Sequence, residues 1–197
     1  MPDELPELLV ADRARWRSWL GGHHHDQAGV WLVLAKKDVI EPTRLTYDEA
    51  LEEALCHGWI DGQVRRRDER TFRQRFTPRR ARSSWSQRNV GLVERLQAEG
   101  LMHPAGLEAV ALAKDDGRWD AAYAGQATIE VPADLTAALE GEPRAKAMFE
   151  RLSGQNRYAV LYRIHEAKRS DTRARRIERF VAMLARGETI HPQGKAK

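Results

Sequence analysis

Ile60-Asp61-Gly62-Gln63-Val64-Arg65-Arg66-Arg67-Asp68-Glu69-Arg70-Thr71-Phe72-Arg73-Gln74-Arg75-Phe76 reads as two strands joined by a polar turn. Residues 60–64 and 71–76 are rich in strand formers, and 65–70 would be the turn between them. In the second strand the side chains alternate: Phe72, Gln74 and Phe76 share one face, and Arg73 and Arg75 share the other. A basic antiparallel hairpin is therefore expected at the centre of the fold. Upstream, Val30-Trp31-Leu32-Val33-Leu34-Ala35 is an apolar run ended by Lys36-Lys37-Asp38, the pattern of a buried strand. Between these strands, Thr46-x-x-Glu49 is a capping box ahead of Ala50, Leu51, Ala54 and Leu55, so an amphipathic helix is expected, closed by Gly58.

Downstream the period changes from two to about three and a half. Ser84-x-x-Gln87 would cap a helix carrying Val90, Val93 and Leu96. Pro104 suits the first turn of another, with Leu107, Val110 and Ala111 on its apolar face. Asp134, Pro143, Ser153 and Asp171 can each start a further helix. Tyr158, Leu161 and Tyr162 line one of these, and Ile177, Val181 and Leu184 another. The expected fold class is α+β: a small antiparallel sheet with packed helices, then a mainly helical C-terminal part. The expected organisation is an α+β core over 1–124, a linker at 125–131, a helical part over 132–187 and a disordered tail over 188–197.

Charge is segregated. From Asp61 to Arg88 there are ten arginines, no lysine and three acids, a balance of +7. From Gln155 to Lys197, eleven basic and four acidic residues again give +7, so with a whole-chain charge of +4 the remainder must sum to −10. Such asymmetry points to anionic partners or to pairing within the chain, for which the acids from Asp48 to Glu53 are available. The single cysteine, Cys56, excludes an internal disulfide and zinc-site spacing. No apolar stretch approaches bilayer length and the first residues carry no leader pattern, so a cytoplasmic protein is expected.

Arginine presents a planar fork suited to carboxylates and phosphates. Candidate ligand residues are Trp59, Asp61, Gln63, Arg75, Arg79, Arg80, Ser84, Trp85 and Asn89, which bracket the arginine-rich stretch. They can be read as a pocket for a small anion, or as a turn with internal ion pairs and core tryptophans. The segment Thr77-Pro78-Arg79-Arg80 with Ser83-Ser84 before a helix start is a second anion candidate, against an ordinary serine cap. Lys168, Arg169, Arg173, Arg175 and Arg176 form a basic helix face that would serve a nucleic acid, or would be solvated or acid-paired. His23-His24-His25 reads as a surface loop rather than a metal site, and His57 cannot share a proton with its helix neighbour Cys56. No catalytic motif, metal set or cofactor fingerprint is present, so no catalytic residue and no cofactor are expected. Sequence gives no basis for an oligomeric state.

Trp31-Leu32-Val33-Leu34-Ala35-Lys36-Lys37, Leu45-Thr46-Tyr47-Asp48-Glu49-Ala50-Leu51, Gly58-Trp59-Ile60-Asp61-Gly62-Gln63, Arg75-Phe76-Thr77-Pro78-Arg79, Ser84-Trp85-Ser86 and Asp116-Gly117-Arg118-Trp119 occur here in order. With the C-terminal Ala167-Lys168, Thr172-Arg173 and Arg175-Arg176-Ile177, they resemble the YdeI/OmpD-associated family of bacterial proteins, also labelled bacteriocin-protection. The resemblance runs from about Gly29 to Gly187. It implies an association with an outer-membrane porin and with resistance to antimicrobial peptides, and it brings no catalytic residues. Small-anion or protein binding, in an envelope-stress setting, is the expected function; nucleic-acid association is the alternative, and an enzyme of unknown reaction comes third.

Overall fold

All six side chains of Val30–Ala35 (β2) are buried, as an interior strand requires. The computed structural model describes residues 5–193. Strand β2 pairs antiparallel with Thr71–Pro78 (β4), which pairs antiparallel with Trp59–Arg66 (β3). A two-residue strand, Glu7–Leu8 (β1), adds a parallel edge to β2, so the order is β1-β2-β4-β3. The hairpin turn is shorter than the sequence pattern implies, because β3 continues to Arg66. A one-residue β-bulge lies between Asp61 and Val64, where Gly62 and Gln63 together oppose Arg75. Gln74, itself buried, donates from Nε2 to the Gly62 carbonyl at 2.8 Å and pins the bulge.

The register sorts the sheet faces. Val30, Leu32 and Leu34 align with Phe76, Gln74 and Phe72 over the core, whereas Trp31 and Val33 align with Arg75 and Arg73 on the other face. There the Arg65 guanidinium lies 4.2 Å from the Trp31 ring.

Arg13–His23 (α1), which the strand and helix patterns read from sequence did not include, packs Trp16 and Leu20 into the core. Asp12 caps it, accepting from the Arg15 N–H at 3.0 Å, and Trp16 Nε1 donates to the Ala50 carbonyl at 3.1 Å. Tyr47–Cys56 (α2) begins at the expected capping box, with Thr46 and Glu49 satisfying each other's backbone N–H groups. Its Glu53 carboxylate is buried and held by Arg13 and Arg17 of α1, each Nε at 2.6 Å. Glu52 pairs with Arg13 and Arg95, and Asp48 with Arg88. The acidic helix is thus matched by arginines of its own unit, Arg13 and Arg17 of α1 and, further along the chain, Arg88 and Arg95.

Gln87–Ala98 (α3) is capped by Ser86, whose hydroxyl accepts from the Asn89 N–H at 3.2 Å; Ser84, the expected cap, lies two residues earlier and is exposed. In Pro104–Asp115 (α4) the buried positions are Gly106, Val110 and Ala113, and Leu107 is exposed, a rotation from the expected face. The cause is Gly106: a Cβ there would stand 2.2 Å from the Cys56 carbonyl oxygen, so α4 lies against the end of α2 as only glycine permits.

The chain divides between Ala122 and Tyr123 into two units. The second contains Ala133–Glu140 (α5), Pro143–Glu150 (α6), Gly154–His165 (α7) and Ser170–Ala185 (α8). Its own core joins Leu135, Leu139, Phe149, Leu161, Ile164, Ile177, Phe180 and Leu184. The tail expected to be disordered is tied down where it is described. Buried Asn156 accepts from the His191 N–H at 2.9 Å, and Gln193 accepts from the Ser153 N–H at 2.8 Å. Residues 194–197 lie outside the described residues.

Candidate functional site

A cavity of about 440 Å³ opens in the first unit where the ends of α1, α2 and β4 meet the first turns of α4. Its position follows from two glycines. Gly58 closes α2 with φ +73, and a Cβ on it would come within 2.9 Å of the Ala105 carbonyl oxygen. With Gly106 it lets α4 approach α2, and the gap left beside this contact is the cavity.

Trp59 forms one wall. It is buried, packs edge-on to Trp16 and Trp19 at centroid distances of 6.3 and 5.8 Å, and donates from Nε1 to the His24 carbonyl at 3.0 Å. Arg79 follows β4, fixed by its backbone N–H on the Gly58 carbonyl at 2.9 Å. Its guanidinium lies 3.6 Å above the Trp85 ring and donates to the Ser84 carbonyl at 3.1 Å. Trp85 packs in turn on Trp119 at 4.9 Å. Arg80, exposed, also lines the cavity, its N–H donating to the Ser83 hydroxyl at 3.1 Å. Arg118 completes the cationic side. Its Nε sits on Asp116 at 2.7 Å, and its Nη1 donates to the Ser83 carbonyl at 2.8 Å. Its buried Nη2 has no hydrogen-bond partner among the described residues.

Opposite these cations, Ala105, Ala109 and Leu112 of α4 make an apolar strip, with Glu108 as the carboxylate among the lining residues. Three guanidiniums less one carboxylate leave the wall at +2 with its imidazoles neutral. An anion with an apolar body would find donors on one side and methyl groups on the other.

Of the residues singled out from sequence, Trp59, Arg79 and Arg80 meet at this cavity, and Ser84 and Trp85 reach it through Arg79. Asp61 does not. Its carboxylate accepts from the Tyr47 hydroxyl at 2.9 Å, and burial with that carboxylate pushes the Tyr47 phenol up to about 12. Gln63 is exposed on the bulge, and Arg75 lies on the sheet face opposite the core. Asn89 is buried in the first turn of α3. Sequence reasoning missed His24, His57, Arg118 and the α4 strip. Arg118 stands in the Asp116-Gly117-Arg118-Trp119 motif, but nothing in sequence joins that motif to Arg79.

The C-terminal basic face is largely matched by acids. Arg173 grips Asp134 with Nε at 2.5 Å and Nη2 at 2.9 Å, holding that carboxyl below its usual range. Arg169 and Arg175 share Asp171, and Arg176 pairs with Glu166 at 3.7 Å. Lys168 is exposed. Among the described residues, no group of three or more His, Cys, Asp or Glu is placed to hold a metal ion, and no helix is long and apolar enough to cross a membrane.

Fold and site together define a two-unit α+β protein with a cationic cavity in its sheet-bearing unit. Residues 8–109 match the family model described as a domain of unknown function, DUF8412; these 102 of 197 residues are just over half, and the chain belongs to that family. Residues 128–187 match the model described as bacteriocin-protection, YdeI or OmpD-associated, so that resemblance is shown for the helical unit. All five motifs from Trp31 to Ser86 fall in the first matched region, outside the second, and the Asp116–Trp119 motif falls between the two. No curated protein and no solved structure matches the chain.

Proposed function

We propose that this is a cytoplasmic binding module for a small organic anion, held by Arg79, Arg80 and Arg118 against the strip of Ala105, Ala109 and Leu112. One observation carries the reading: a 440 Å³ cavity, within the range of small-molecule sites, is walled by three guanidiniums and one carboxylate. Guanidiniums already fixed by Trp85, Ser84 and Asp116 lose little freedom on gripping a carboxylate or phosphate, which favours binding. The bacteriocin-protection description matched by the second unit supports a setting in resistance to antimicrobial peptides, with the acidic group of a protein partner as the alternative ligand.

Thermal unfolding with phenyl phosphate, benzenesulfonate and neutral benzyl alcohol tests this reading. A ligand at ten times its dissociation constant stabilises the native state by about 1.4 kcal/mol. That corresponds to a rise of roughly 3–6 °C for a chain of this size. The two anions are expected to raise the melting temperature and benzyl alcohol is not. Arg80→Ala and Arg118→Gln should abolish the rise, and Arg175→Ala should keep it. No rise with either anion overturns the proposal. Random-duplex binding that weakens about a thousandfold between roughly 50 and 200 mM salt and is lost in Arg173→Ala would install the nucleic-acid reading instead.

A further inference from the structure

Three imidazoles from three separate elements meet beside the cavity. His24 follows α1, His57 follows α2 and His103 caps α4. Their ring centroids are 4.7 Å apart for His24 and His103, 4.9 Å for His57 and His103, and 5.8 Å for His24 and His57. His24 and His57 line the cavity with the arginines.

Hydrogen bonds set which nitrogen of each ring titrates. Nδ1 of His24 is 3.0 Å from the Leu20 carbonyl and Nδ1 of His57 is 2.9 Å from the Glu53 carbonyl. A carbonyl only accepts, so both Nδ1 atoms carry the proton and both Nε2 atoms keep a lone pair. His103 is the reverse: its Nδ1 accepts from the Ala105 N–H at 3.3 Å, so its neutral form carries the proton on Nε2. His24 and His57 can each gain a proton at Nε2 without breaking these bonds. His103 would lose its helix cap.

We propose that the cavity takes up a proton with its anion, the bound carboxylate, sulfonate or phosphate being matched by protonation of the His24–His57 pair at Nε2. The proposal rests on the cavity being an anion site. The cavity wall already carries more positive than negative charge before an anion arrives. Arg79, Arg80 and Arg118 repel an imidazolium, and the rings of His25 and His103 adjoin His24 without adding an anion. Glu108 from α4 is the carboxylate lining the cavity. Glu53 is occupied by Arg13 and Arg17, Asp116 holds Arg118, and buried Cys56 carries no charge. Burial, the largest cause, pushes His57 down from its ordinary value; the hydrogen bond to the Glu53 carbonyl opposes it, and His103 and His24 add to the lowering. An anion beside the pair supplies the missing counter-charge and raises it again. Between the free and bound values binding takes up protons, and affinity rises as pH falls, by up to about tenfold per pH unit for each proton.

Benzenesulfonate is the probe, because it stays ionised throughout and any proton taken up is the protein's. Calorimetric titration at pH 6 and pH 8, in two buffers of different ionisation heat, counts the protons directly. The expected result is net uptake at pH 6 and binding at least several-fold tighter there than at pH 8. His24→Asn and His57→Asn keep a side-chain N–H for the same carbonyls and cannot titrate; the pair of substitutions should abolish proton uptake and the gain in affinity at pH 6. If that double variant does not fold, the wild-type proton count decides alone. Binding without proton uptake and with equal affinity at both pH values overturns this inference and leaves the anion site standing. Absence of binding at both pH values overturns the anion site and this inference with it.

Discussion

Gly106→Ala tests the contact on which the whole site depends. The added Cβ would stand 2.2 Å from the Cys56 carbonyl oxygen, 2.8 Å from its carbon and 2.9 Å from the Met102 methyl. Met102 can swing away, but the carbonyl cannot, since it also accepts the His103 N–H at 3.0 Å. The start of α4 must retreat by roughly 1 Å to reach an ordinary contact. Overpacking of this kind costs about 1–3 kcal/mol. Alanine recovers about 0.5–1 kcal/mol over glycine within a helix. The net loss is therefore about 1–2 kcal/mol, or roughly 2–8 °C in melting temperature. Gly91→Ala is the matched control. It makes the same exchange within α3, where nothing lies within 4 Å, and should stabilise by about 0.5–1 kcal/mol. Urea unfolding of both variants measures the difference, and the His57 and His103 ring resonances report whether the imidazoles have separated. Equal stabilisation by both substitutions, with unmoved histidine resonances, would refute the close approach of α2 and α4.

Three further outcomes are expected. Glu53→Gln removes a buried carboxylate from between Arg13 and Arg17, whose side chains are 37% and 41% exposed. Water reaches both guanidiniums, so the loss should be about 1–2 kcal/mol in urea unfolding, less than for a fully buried pair. The Asp68 carboxyl is held at about 2 by the Thr71 hydroxyl and by the Arg70 and Thr71 N–H groups. Its folded value lies below its unfolded one, so its stabilisation is present above about pH 4 and is lost as pH falls toward 2. An NMR titration should find it ionised at pH 3, and Thr71→Val should raise its midpoint. Burial, with the Glu53 charge second, pushes the Cys56 thiol up to about 11. A thiol reagent at pH 8 should therefore label it only at the rate of unfolding, and rapid labelling of the native protein would contradict its burial.

Elements written in local chemistry were legible in the sequence. The apolar run of β2, the Thr46–Glu49 capping box and the alternation from Thr71 to Phe76 each state their own conformation. Where two local signals competed, tertiary contact decided. Ser86 caps α3 although Ser84 fits the same spacing, because Trp85 must be buried between them beneath Arg79. The face of α4 turned because Gly106 gains a close contact that a hydrophobic pattern cannot express. The candidate site was half legible. Trp59, Arg79 and Arg80 are near neighbours across β3 and β4, so a stretch of sequence could gather them. His24, His57 and His103 are brought together only by three helix ends; in sequence His24 reads as a surface loop, His57 is weighed only against Cys56, and His103 is not singled out.

The bulge at Gly62 and Gln63 frees the outer half of the hairpin from the count of residues at this point. Before it, Asp61 stands across from Phe76 on the core side; after it, Val64 and Arg66 stand across from Gln74 and Phe72, and Arg65 turns outward onto Trp31. Losing one residue at 62–63 while both strands stay paired would leave one residue opposite Arg75 and Val64 still opposite Gln74, so every side chain beyond would keep its side. Arg65 would stay on the indole. A deletion of three nucleotides here would straighten the ladder rather than turn the arm over. The bulge is the hairpin's slack.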